Sequence, residues 1–129
     1  MAKAGPGPRS LPVVLIADDE PLLLDTLGQE LEGHCKLFTA ASAAEAELRL
    51  AARRYDVIVC DHMLPGEQGL DFLTRVMELM PSTKRILVTG YTNPEFLSRC
   101  TSIAGLSACL VKPVRTSEIA KAVKAALET

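Results

Sequence analysis

Five times along the chain a short apolar run gives way to a stretch of helical spacing, and this alternation limits the fold more than any other feature. The runs are "PVVLIA" (12–17), "CKLFTA" (35–40), "DVIVC" (56–60), "RILV" (85–88) and "ACLV" (108–111). Behind the first come Leu23, Leu24, Leu27 and Leu31 on one helical face, with Pro21 at the start and Gly33 at the stop. Behind the second, Ser42 and Glu45 form a capping box. Leu70, Leu73, Val76, Met77 and Met80 follow the third, ended by Pro81. Asn93 and Pro94 open the fourth helix, and Ile119, Val123 and Leu127 line the fifth. Strict strand–helix order means a parallel sheet with helices on both faces. Strands apolar throughout, rather than at alternate positions, suit a sheet covered on both sides.

A chain of 129 residues suits one such domain, placed here at 12–129, with 1–11 as a flexible tail rich in Gly and Pro. That tail lacks the apolar centre of a signal peptide, and no apolar run approaches the roughly 20 residues of a membrane span. Trp is absent and aromatics make up 4%, so aliphatic side chains must fill the core. A net charge of -2 gives no bulk attraction to nucleic acid or an anionic membrane. Cys35, Cys60, Cys100 and Cys109 show no metal-like spacing and sit in apolar surroundings. They read as reduced, buried thiols, which places the chain in a reducing cytoplasm.

Sheets of this kind carry their sites outside the carboxyl ends of the strands. Asp18, Asp19 and Glu20 follow the first strand, Asp61 the third, Thr89 the fourth and Lys112 the fifth. The second ends in Ala40 and Ala41 and offers nothing. Helix caps and turn residues account for any one of these, but not for three aspartates gathered at one edge. Carboxylates a few Å apart repel by roughly 3 kcal/mol per pair at an effective dielectric near 20. Lys112 and a hard divalent cation such as Mg²⁺ are the available offsets. A carboxylate kept ionised between them is a nucleophile, and phosphoryl transfer asks for little beyond positioning and positive charge.

The segments "ADDE", "VIVCDHMLPGEQGLDFL", "ILVTG" and "CLVKP", in this order and spacing, resemble the receiver domain of bacterial two-component response regulators. The resemblance covers nearly the whole chain after the tail. It implies a flavodoxin-like, doubly wound (βα)5 fold with a five-stranded parallel sheet in the order 2-1-3-4-5. It implies Asp61 as phosphoacceptor, taking its phosphoryl group from a histidine kinase or phosphotransfer protein. Mg²⁺, or Mn²⁺ as a substitute, would lie on Asp18, Asp19, Asp61 and the backbone carbonyl of Met63. Thr89 and Lys112 would act on the phosphoryl group, and the Lys112–Pro113 bond would be cis. The domain would catalyse its own phosphorylation and slow dephosphorylation without being a conventional enzyme. Its output would be a conformational switch that controls a partner or effector domain. Its fourth helix, fifth strand and fifth helix would form the partner or homodimer face. No direct nucleic-acid or membrane contact is implied.

One position departs from the family. Three residues before the lysine the family usually has Tyr or Phe, and this chain has Cys109. A thiol cannot swing like a ring, so coupling through that position is in doubt. Tyr91, two residues after Thr89, is a candidate to gate the site, against the plainer reading of an exposed loop tyrosine. His62 is expected to point away from the site or into solvent. A phosphatase of the haloacid-dehalogenase type would need a second Asp where Met63 stands. A flavodoxin-like cofactor carrier would need a phosphate-cradling loop where "DDEP" stands. A receiver-like scaffold that binds partners without phosphorylation remains the main alternative.

Overall fold

The computed structural model describes residues 11–129. The expected tail lies outside the described residues, apart from Leu11. Five parallel strands form one sheet: β1 (Val13–Ala17), β2 (Lys36–Ala40), β3 (Val57–Asp61), β6 (Lys84–Thr89) and β7 (Ala108–Val111). Their order is β2-β1-β3-β6-β7, the expected 2-1-3-4-5 when only the sheet's own strands are counted. The helices are α1 (Pro21–Glu30), α2 (Ala43–Ala52), α3 (Gly69–Leu79), α4 (Pro94–Ala104) and α5 (Thr116–Leu127).

Strand residues alternate between two aliphatic cores, as the two-residue period of a strand requires. Leu15, Ile58, Cys60 and Leu87 face α2, α3 and α4 and pack with Phe72, Leu73 and Cys100. Val14, Ile16, Val57, Val59, Ile86 and Val88 face α1 and α5 and pack with Leu27, Ile119 and Val123. Both faces are covered, which is why these strands are apolar at every position.

Two short strands escaped the sequence reading. β4 (Met63–Leu64) and β5 (Glu67–Gln68) form a small antiparallel hairpin around Pro65 and Gly66. Two residues per strand leave no hydrophobic period to detect. The hairpin carries the chain from the tip of β3 into α3.

The expected cap at Ser42 forms, but the returning bond of the capping box goes to the residue before it. Ser42 Oγ accepts from the Glu45 N–H at 3.2 Å, and Glu45 returns a bond to the Ala41 N–H. Asn93 Oδ1 caps α4 by accepting from the Glu95 and Phe96 N–H groups. All four cysteines are free, with Cys109 half-buried and the others buried.

Arg85, on β6, is an unexpected buried charge. It is 8% exposed, and its guanidinium donates only to backbone carbonyls, those of Thr83, Ala104 and Gly105 chief among them. It ties the C-terminal end of α4 to the turn that precedes β6. Burial holds its pKa below the ordinary value.

Candidate functional site

The carboxyl edge of the sheet gathers the expected residues. Asp61 is the last residue of β3, and Asp18 and Asp19 directly follow β1. These two strands are hydrogen-bonded neighbours, with Ala17 opposite Cys60. One carboxylate oxygen from each of Asp18, Asp19 and Asp61 lies within 4.8 Å of the other two. Asp18 and Asp61 are buried, while Asp19 is exposed at the mouth.

Lys112 reaches in from the end of β7, and its Nζ lies 3.1 Å from Asp61 Oδ1. Its backbone N–H also bonds to the Thr89 carbonyl at 2.7 Å. The bond to Pro113 is cis. Burial disfavours the ammonium, but its hydrogen bond to Asp61 and the charges of Asp61, Asp18 and Glu20 outweigh that, so its pKa rises. Lys112 is therefore a fixed cation at neutral pH.

Asp18 responds in the opposite sense. Its Oδ1 accepts from the Glu20 N–H at 2.9 Å. Burial, aided by the charges of Asp61 and Glu20, still lifts its pKa from 3.8 to about 6, against that hydrogen bond and Lys112. A buried carboxylate short of positive charge gains most from a cation placed beside it. The three oxygens are hard donors of the kind Mg²⁺ takes. The donor set and the raised Asp18 pKa therefore fit a divalent cation.

Thr89 is fully buried at the tip of β6. Its Oγ1 accepts from the Tyr91 N–H at 3.1 Å. Met63 turns its side chain outward, 66% exposed, at the rim of the site.

His62 and Tyr91 settle alternatives that the sequence left open. His62 does not reach solvent: it is 4% exposed, with ring centroids 4.9 Å from Tyr91 and 5.5 Å from Phe96. Tyr91 is 53% exposed, but its other face packs on His62 and Phe96. Gly69 was missed altogether. A Cβ there would fall 2.1 Å from the Asp61 carbonyl oxygen and 3.0 Å from Cys60 Sγ. The Gly69 N–H also bonds to the His62 carbonyl. The start of α3 is thus pressed against the backbone that presents Asp61. A glycine opening a helix was the available signal, but it does not reveal a contact with another strand. Cys60 donates to the same Asp61 carbonyl at 3.4 Å, and burial pushes its thiol pKa far up, leaving it protonated and inert.

Known proteins resemble this chain in sequence and in fold. The family model for the response regulator receiver domain matches residues 14–124. The hydrogenase transcriptional regulatory protein HoxA of Cupriavidus necator is 34% identical over 115 residues, 89% of this chain and 24% of that protein. The DNA-binding transcriptional activator DevR/DosR of Mycobacterium tuberculosis is 35% identical over 115 residues, 87% of this chain and 52% of that protein. This chain therefore spans about a quarter to a half the length of these relatives. Among solved structures, the signal receiver domain of an HD domain-containing protein from Pseudomonas fluorescens Pf-5 has a TM-score of 0.80 at 30% identity, covering 92% of this chain and 95% of that one. A CheY-like receiver domain protein from Methanospirillum hungatei JF-1 has the same TM-score and coverage at 32% identity.

Proposed function

The chain belongs to the response regulator receiver domain family, whose members signal by phosphorylation, and we propose that its own switch is Asp61, phosphorylated and read out by Thr89 and Lys112. The observation that carries this reading is the 3.1 Å contact between Lys112 and Asp61 inside a cluster of three carboxylates at the sheet's carboxyl edge. Asp61 is 6% exposed, so few waters compete for its carboxylate. Lys112 already occupies Oδ1, which leaves Oδ2 to attack phosphorus. In transfer from a phosphohistidine, the P–N bond breaks as the P–O bond to Asp61 forms. The imidazole leaves with the bonding electron pair and takes a proton. The negative charge of Asp61 is then carried by the phosphoryl oxygens, and the Lys112 ammonium follows it. Thr89 supplies a hydroxyl to one of those oxygens.

Receiver domains bind Mg²⁺ in an acidic pocket, and in this chain Asp18, Asp19 and Asp61, with the Met63 carbonyl, are the proposed ligands. Bound there, Mg²⁺ or Mn²⁺ would neutralise charge on the phosphoryl oxygens during transfer. The domain's own residues would also support slow hydrolysis of the acyl phosphate. The phosphoryl donor is a histidine kinase or phosphotransfer protein. The output is a partner or effector domain reached through α4, β7 and α5, and a receiver homodimer through that face is one form of it. Every residue of β7 is half-buried, and Ile103 on α4 is 51% exposed, so this face has apolar surface to offer. No helix among the described residues is long and apolar enough to cross a membrane. The free thiols and the transcription regulators among its relatives support a cytoplasmic location.

Incubation with Mg²⁺ and acetyl phosphate should add one labile phosphoryl group, lost in Asp61→Asn. Without that group the protein would be a scaffold that binds partners without phosphorylation.

A further inference from the structure

Thr89, the proposed phosphoryl contact, is fully buried and is bonded through Oγ1 to the Tyr91 N–H, not to Asp61 or Lys112. A movement of Thr89 toward a phosphoryl group on Asp61 would pull on the 3.1 Å bond to Tyr91. Tyr91 is in turn one of three mutually packed rings. Its centroid is 4.9 Å from His62 and 4.9 Å from Phe96, and His62 lies 5.5 Å from Phe96. His62 directly follows Asp61, and Phe96 belongs to the first turn of α4, whose N–H groups are capped by Asn93. The trio therefore spans from the phosphorylation site to the N-terminal end of α4.

The two ends of α4 are held differently. At the C-terminal end, buried Arg85 grips the Ala104 and Gly105 carbonyls. At the N-terminal end no such charged anchor is present among the described residues: Phe96 packs on the two other rings and against the core, and Pro94 and Glu95 are exposed. The seat itself is short of a bond: His62 Nδ1 is buried with no hydrogen-bond partner among the described residues.

We propose that Tyr91 is the positioning residue through which Thr89 moves α4, doing by contact with His62 and Phe96 what Cys109 is too small to do. This rests on the reading of Asp61 as phosphoacceptor. In the resting form the Tyr91 N–H holds the Thr89 hydroxyl. When Thr89 turns to the phosphoryl oxygen, Tyr91 is freed, the ring trio repacks, and α4 shifts at its N-terminal end while Arg85 holds the other.

Amide hydrogen exchange followed by NMR, with Mg²⁺ alone and with Mg²⁺ plus acetyl phosphate, separates the possibilities. In the unaltered protein, phosphorylation should speed exchange at Tyr91 and at Glu95, Phe96 and Leu97 by about threefold or more, with 104–106 unchanged. Tyr91→Ala, at an exposed ring, should take up the phosphoryl group to the same stoichiometry and lose the response at 95–97. Tyr91→Phe keeps the ring and should retain it, and so should Cys109→Ala. Equal phosphoryl uptake with an intact α4 response in Tyr91→Ala overturns the relay alone. No phosphoryl uptake by the unaltered protein overturns the phosphorylation reading, and the relay with it.

Discussion

Asp18→Asn should make the metal-free domain more stable and at the same time weaken its response to Mg²⁺. Asp18 is 3% exposed beside Asp61, and its pKa stands at about 6 in place of 3.8. A displacement of about two pH units corresponds to a ceiling of about 3 kcal/mol for ionising this carboxyl inside the fold. Asp19 is exposed at the same site, so water screens part of that penalty, and a cost of about 1–3 kcal/mol is expected. Asn keeps an Oδ1 to accept the Glu20 N–H, so the 2.9 Å turn contact survives the change. The native carboxyl binds its proton more tightly than the unfolded one. Stability therefore falls as pH rises from 3.8 to about 6, and the loss is complete above that.

Urea unfolding without metal at pH 4 and at pH 7.5 measures this directly. The variant should gain on the unaltered protein by about 1–3 kcal/mol between the two pH values, without a change in m. Adding Mg²⁺ should reverse the order. A ligand at a hundredfold excess over its Kd stabilises the fold by about 2.7 kcal/mol, and the variant has lost one carboxylate with which to hold it. A variant less stable than the unaltered protein at pH 7.5 without metal would refute the account of Asp18 as a buried, undercompensated charge. Equal stabilisation of both proteins by Mg²⁺ would refute its place among the ligands.

Two further substitutions test how the site is framed. Gly69→Ala places a Cβ against the Asp61 carbonyl, which cannot yield cheaply because it is backbone. It should cost about 1–3 kcal/mol in urea unfolding and also slow phosphorylation by acetyl phosphate, because the strain falls on the chain that presents Asp61. A neutral result would mean that α3 can move away freely. Arg85→Met strips donors from the Thr83, Ala104 and Gly105 carbonyls and should cost about 2–4 kcal/mol. A loss under about 1 kcal/mol would show that these carbonyls find other partners and that α4 is not pinned there.

What the sequence made legible was whatever depends on period and on order. Val57 to Cys60 are apolar without interruption because helices cover both faces of β3, and that pattern announces a central strand before any contact is known. Asp18, Asp61, Thr89 and Lys112 were found because a parallel sheet brings every strand's end to one edge, so chain order alone predicts their company. Contacts perpendicular to that logic stayed hidden. Gly69 looks like an ordinary helix start until the Asp61 carbonyl is seen beneath it. Arg85 sits in a strand as though it would be exposed, because carbonyls at the ends of two other elements leave no mark in sequence.

His62 and Tyr91 are the most instructive case. A polar residue after a strand-tip aspartate and a tyrosine in a loop each read as surface when taken singly. His62 is buried and Tyr91 is packed on one face because a third ring, Phe96, more than thirty residues from His62 in the chain, joins them. The absence of an aromatic at position 109 was visible in the sequence, but its counterpart was not. Cys109 is half-buried against the core on the same side of the sheet as Phe96 and Cys100. A small side chain there and a three-ring cluster at the top of α4 are two ways of distributing aromatic bulk around one helix. In this chain the bulk lies next to Thr89, where a hydrogen bond joins it to the residue expected to move.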